Sequence, residues 1–202
     1  MDMDMDTFLT IASESKGIYK EKSSKFLAFV YPVRSEEEAR EKIDILRKKF
    51  HDARHHCYAW RLGANGEHYH VNDDGEPAHS AGKPILGQLV AYGVTNVLAV
   101  VVRYFGGILL GTGRLMQAYK SATSDALAHA ETVTDMIAET WQLTFDYPDM
   151  NQVLKIVKDM HIECYAHDFN IHCIMMVKVR KSLTAQMEKR LNTVESLKIE
   201  KK

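Results

Sequence analysis

Apolar and polar positions follow recognisable periods along most of the chain. Residues 26–33 are an apolar run of strand length. Ser35-Glu36-Glu37-Glu38 then forms a capping box, with Ser35 as N-cap and Glu38 at the third helical position. Behind it Ala39, Ile43, Leu46 and Phe50 share one helical face, while Glu36/Arg40, Glu38/Lys42 and Asp44/Lys48 pair at i,i+4 on a solvated face. Residues 56–62 read as a strand, Asn65-Gly66 as a hairpin turn and residues 67–71 as the returning strand. Residues 72–77 are a loop by composition. Residues 85–92 suit a helix with Pro84 in its first turn. Residues 97–102 are nearly all β-branched and apolar, the pattern of a central strand buried on both faces. Two glycine clusters follow, and residues 115–130 form a helix.

The composition changes after Glu131, since no glycine occurs from residue 132 onward. Strand 141–145, helix 149–160, strands 162–166 and 171–179, helix 183–192 and strand 196–200 give the order βαββαβ, a ferredoxin-like pattern. The fold class is therefore α/β (α+β), with a domain at 1–131 and a second at 132–202. A two-residue turn at Asp168-Phe169 would set Ile162 opposite Met175, Cys164 opposite Cys173 and Ala166 opposite Ile171 on one apolar face. In that register Cys164 and Cys173 are core thiols, with a disulfide as the lesser alternative.

Charge excludes little. The formal net charge is -1, without the basic excess that marks a nucleic-acid binder, although a local basic surface stays open. The alternating Met and Asp of residues 1–6 lack the pattern of a signal peptide and read as a solvated end, continuing into a short helix near Phe8 and Ile11. Residues 84–102 are interrupted by Gln88, Asn96 and two glycines, so they are a helix and a strand rather than a membrane span. The three cysteines include no CxxC pair. A reducing, cytoplasmic setting is expected.

Three segments could carry chemistry. Arg103-Tyr104-Phe105-Gly106-Gly107-Ile108-Leu109-Leu110-Gly111-Thr112-Gly113-Arg114 runs from a buried strand through a glycine loop into a helix start. Unpaired N–H groups there, with Arg103, Arg114 and Lys83, suit an anion. The other reading is a tight structural connection, since neither a Walker A lysine nor a full dinucleotide fingerprint is present. Six of the ten histidines lie between His51 and His79. His55 and Cys57 share a strand face, as do His68 and His70, which would permit a metal site if the hairpin paired them, but no metal signature is present. Asp73-Asp74-Gly75-Glu76-Pro77 sets three carboxylates near Lys83 and His56, open to acid/base work or to service as an acidic turn. Cys57 beside His56 is no dyad, because strand neighbours point to opposite faces.

Together these strings resemble the IMPACT/YigZ family. The match is carried by Lys22-Ser23-Ser24-Lys25-Phe26, His55-His56-Cys57-Tyr58-Ala59-Trp60, Asp73-Asp74-Gly75-Glu76-Pro77, Ala81-Gly82-Lys83-Pro84-Ile85-Leu86 and the run from Val102 to Gly113. The resemblance implies a first domain like the second domain of a small-subunit ribosomal protein, a sheet with helices packed on one side. It implies a C-terminal domain like one of elongation factor G. Eukaryotic members are linked to translational control. Two positions depart from the family pattern: His79-Ser80 stands where a Gly-Thr pair is common, and Arg114 where glycine is.

The leading expectation is a non-enzymatic, translation-associated module contacting RNA, the ribosome or a translation factor. It would use Lys83, Arg103, Gly106, Gly107, Gly111, Thr112, Gly113 and Arg114 as an anion or nucleic-acid surface, with no cofactor, metal or membrane partner. The alternative is an enzyme acting on a phosphorylated or peptide substrate in a pocket formed by His56, Asp73, Asp74, Glu76 and the glycine loop. The glycine loop and the acidic loop are expected to approach one another.

Overall fold

The computed structural model describes residues 6–169 and 172–202. It divides into two compact units, Phe8–Asp135 and Met136–Lys202, the latter joined by Asp6 and Thr7. Met1 to Met5 and the pair Asn170-Ile171 lie outside the described residues.

The larger unit is built on a five-stranded antiparallel sheet. Its strands are β2 (Ser15–Glu21), β3 (Ser24–Pro32), β4 (His55–Leu62), β5 (His68–Asn72) and β6 (Val97–Tyr104), in the order β2-β3-β6-β4-β5. The apolar run 97–102 sits at its centre with every residue fully buried, as its composition requires. Helices cover both faces, in contrast to the one-sided packing that the family resemblance implies. On one face α1 (Glu36–Lys49) places Ala39, Ile43 and Leu46 against Phe29, Leu98, Val100 and Val102. On the other, α2 (Gly82–Ala91) and α3 (Thr112–Ala128) bury Ile85, Leu89, Leu115, Tyr119 and Ala122 against Phe26, Ala28, Cys57, Ala99 and Val101. Strand alternation dictates this division, since neighbouring residues of β6 serve opposite cores.

The local signals hold with small shifts. The Ser35 hydroxyl accepts from Glu38 N at 3.3 Å, and the Glu38 carboxylate reaches back to Arg34 N at 2.7 Å. The Asn65-Gly66 hairpin closes through Gly66 N to Gly63 O at 3.0 Å. Where a short helix was expected near Phe8 and Ile11 there is a strand, β1 (Thr7–Ile11), paired with β7 (Thr132–Met136). Its β-branched and aromatic residues favour that state.

The smaller unit contains β8 (Ala138–Asp146), α4 (Met150–Asp159), β9 (Glu163–Phe169), β10 (His172–Arg180), α5 (Thr184–Leu191) and β11 (Lys198–Lys201). Its sheet order β11-β8-β10-β9 is that of a ferredoxin-like βαββαβ fold. The predicted central register is overturned. Cys173 pairs with Phe169, Met176 with Ala166 and, beyond a bulge, Val177 with Cys164. Asp168 and Phe169 therefore belong to β9 rather than to a turn, and the expected partner Ile171 lies outside the described residues. Cys173 and Met175 are buried in the core as foreseen, whereas Cys164 is exposed, and neither cysteine is in a disulfide. Cys164 lies opposite the buried Val177, but on the edge strand β9, whose residues are nearly all exposed, which is why it stands outside the core. Among the described residues, no helix is long and apolar enough to cross a membrane.

Candidate functional site

The acidic loop between β5 and α2 is bound to every surrounding element. Asp73 accepts from Ala81 N (3.0 Å), Gly82 N (2.8 Å) and His79 N (2.7 Å), capping the start of α2. Burial opposes its charge, but the N–H groups of Gly82, His79 and Ala81 prevail and hold its carboxyl below the usual range. Asp74 accepts from His56 N at 2.6 Å and from the Arg47 guanidinium of α1 at 3.2 Å. Its φ is +41°, a left-handed conformation eased by its N–H donating to the Asn72 side chain at 2.7 Å.

Glu76 is turned fully inward. One carboxylate oxygen receives Arg103 Nη1 at 2.6 Å and the Tyr119 hydroxyl at 2.7 Å. The register sets Phe26, Arg103 and His55 abreast on β3, β6 and β4. The Arg103 guanidinium lies over the rings of Phe26 and Phe105 at 5.3 and 5.6 Å. Cys57 Sγ lies 3.2 Å from the Tyr119 hydroxyl and 3.0 Å from Asp73 O, and its one proton serves either. Burial raises the pKa values of both Cys57 and Tyr119 well above their ordinary range, so both stay protonated. His56 lies 3.9 Å from Asp74, yet burial outweighs that attraction and lowers its pKa, which keeps the ring neutral. His55 donates through Nδ1 to Asp74 O at 2.8 Å.

The two loops meet through Glu76 and Arg103. The glycine loop itself seats on the β2–β3 turn, where Lys22 and Ser23 both have positive φ. A Cβ on Gly106 would lie 2.1 Å from the Ser23 backbone, so only glycine fits. Arg103 is only 5% exposed and already paired, which leaves it unavailable as a surface phosphate contact. Gly107 and Gly111 have φ of +84° and +75°, and Gly111 leads into α3 without a side-chain cap. Thr112, Gly113 and Arg114 are exposed at that helix start.

A groove of about 730 Å³ runs between α2 and α3. Lys83 and Lys120 lie on it with His79, and Pro84, Gly87, Ala91, Gly113 and Met116 complete much of its wall. No carboxylate lines it. Beside it the loop exposes Phe105, Ile108 and Leu109, the last at 85%. Lys83, Gly113 and Arg114 were legible as candidates in the sequence. Lys120, Met116 and Gly87 were not, because their relevance depends on two helices lying side by side. Cys57 and Tyr119 were also missed as partners of Glu76. The helical spacing of Leu115, Ala118, Tyr119 and Ala122 is the signal that could have set Tyr119 in the core, but spacing names no partner for its hydroxyl.

The histidines do not converge. His70 lies opposite Trp60 and stacks on it at 5.8 Å, whereas His55 lies beyond the end of β5. Among the described residues, no group of three or more His, Cys, Asp or Glu is arranged to hold a metal ion.

The Impact N-terminal domain family matches residues 22–127, all inside the larger unit. The IMPACT family member YigZ of Escherichia coli (strain K12) is 32% identical over 189 residues, 93% of each chain. An IMPACT family member of Haemophilus influenzae is 35% identical over 158 residues, covering 76% of this chain and 77% of its own. A crystal structure of a hypothetical protein superposes with a TM-score of 0.76 at 31% identity, covering 96% of this chain and 97% of that one. With its acidic loop, glycine loop and two-unit architecture accounted for along nearly the whole chain, this protein belongs to the IMPACT family.

Proposed function

We propose that this protein is a non-catalytic, translation-associated regulatory module of the cytoplasm. Its contact surface is the α2–α3 groove with the adjoining glycine loop, and its targets are the ribosome, RNA or a translation factor. The observation that carries this reading is the separation of charge. All three carboxylates of the acidic loop are spent on the protein's own N–H groups, guanidinia and hydroxyl. Lys83, Arg114 and Lys120 instead stand exposed on α2 and α3. Lys83 and Arg114 also sit in the first turns of their helices, where a cation opposes the macrodipole and a bound anion would relieve it. An enzyme using the acidic loop would need a carboxylate free to exchange protons with substrate, and Asp73, Asp74 and Glu76 are committed elsewhere. The eukaryotic link to translational control implied by the family resemblance supplies the biological setting.

Co-sedimentation with ribosomes and with total RNA at two salt concentrations tests the reading. The wild type is expected to sediment in a salt-sensitive manner, and a Lys83→Glu/Arg114→Glu/Lys120→Glu variant to remain in the supernatant. Undiminished sedimentation of the triple variant would move the contact away from this face.

A further inference from the structure

We infer that the α2–α3 groove receives an acidic, amphipathic helix of a protein partner. This rests on the binding-module reading above and names its partner chemistry. Four features of the groove agree. Its wall mixes apolar residues with Gln88, Gln117, His79 and the two lysines, and Pro84, Ala91 and Met116 are available to an apolar helix face. Met116, 44% exposed, is a side chain that adapts to varied apolar partners. Lys83 and Lys120 stand one on each helix, with no Asp or Glu among the lining residues, so carboxylates flanking an apolar row would be attracted from both sides.

The fourth feature is the pair Gly87 and Gly113. Glycine inside a helix is less favourable than alanine. Neither residue has a left-handed backbone, and a Cβ at either would meet nothing within 4 Å. The protein's own packing therefore does not require glycine at these positions. Both open onto the same groove, one from each helix. Their effect is to let another backbone approach closely.

RNA suits this groove less well. Single-stranded RNA readers offer aromatic rings on which bases stack. The lining here contains no Phe, Tyr or Trp, and His79 is the one aromatic ring it offers.

The test uses the full-length protein and a synthetic peptide of about 18 residues, roughly five helical turns. The peptide carries Leu and Met at i, i+3, i+4 and i+7, flanked by Glu; its control carries Lys in place of Glu. Binding is read by fluorescence anisotropy and by amide shifts in NMR spectra. The acidic peptide is expected to bind and to shift Gly87, Gly113 and Met116. Lys83→Glu/Lys120→Glu should weaken it by about tenfold or more and admit the Lys-flanked peptide instead. Gly87→Leu should abolish binding while thermal unfolding stays at the wild-type temperature or above. Equal binding of the two peptides overturns the inference, as does no binding of the acidic one. So does an RNA oligonucleotide that shifts the groove amides when the peptide does not, an outcome that leaves the binding-module reading intact. Peptide binding by a protein that fails to sediment with ribosomes or RNA upholds the groove assignment and refutes the translation setting.

Discussion

Replacing Glu76 by alanine would leave the Arg103 guanidinium charged and unpaired where water does not reach, since the two side chains are only 4% and 6% exposed. Glu76→Ala is therefore expected to cost about 3–5 kcal/mol in urea unfolding, and Glu76→Gln less, because the amide oxygen can still accept from Tyr119. Position 79 behaves differently. Its φ of +65° lies in the left-handed region, which suits the glycine that the family resemblance implies there. His79→Gly should raise stability by about 0.5–1 kcal/mol, partly offset by the freer unfolded chain. The cysteines separate by environment. Cys164 is exposed, whereas Cys57 and Cys173 are buried and burial raises the pKa of each. Titration of the native protein with a thiol reagent should show one rapid reaction, lost in Cys164→Ser.

Helix α2 starts on a carboxylate borrowed from the acidic loop that leads into it. Ala81, its N-cap residue, offers no side-chain cap, and Asp73 serves in its place. Asp73→Asn should destabilise the fold by about 1–2 kcal/mol at pH 7. The sign of the pH dependence follows from the depressed pKa of Asp73. Its stabilisation is complete above the unfolded carboxylate's pKa of about 3.9 and is lost as pH falls through the lower folded value. Urea midpoints at pH 7 and pH 3 should therefore show the gap between wild type and Asp73→Asn narrowing in acid. A gap that stayed constant would mean that Asp73 acts through shape alone.

The two units carry separate cores. The buried clusters of the larger one draw only on residues 11–130, and that of the smaller on residues 141–199. A fragment spanning residues 7–136 is accordingly expected to unfold in a single cooperative transition, with β1 and β7 included whole so that their pairing is kept. Circular dichroism during heating would check this, and a broad, sloping loss of signal would show that the unit depends on the rest of the chain.

Helices and strands were legible wherever a period ran long enough to separate 3.6 from 2. The central strand 97–102, the capping box at Ser35 and the βαββαβ order are local or additive signals, so the chain's own pattern determined them. Registers and partners were not legible. Cys164 read as a core thiol because alternation marks a strand's apolar phase but not its place in the sheet; on the edge strand β9 it lies opposite buried Val177 and is still exposed. Arg103 read as an anion contact because its charge was visible and its partner was not; only the fold brings Glu76, 27 residues away, to 2.6 Å. The groove is a product of α2 and α3 lying together, and no spacing rule relates Gly87 to Gly113 or Lys83 to Lys120. Sequence thus determined the elements, because backbone preference and amphipathic period act over a few residues. Tertiary structure decided which charges are spent inside and which stay exposed, because burial and pairing depend on residues far apart in the chain.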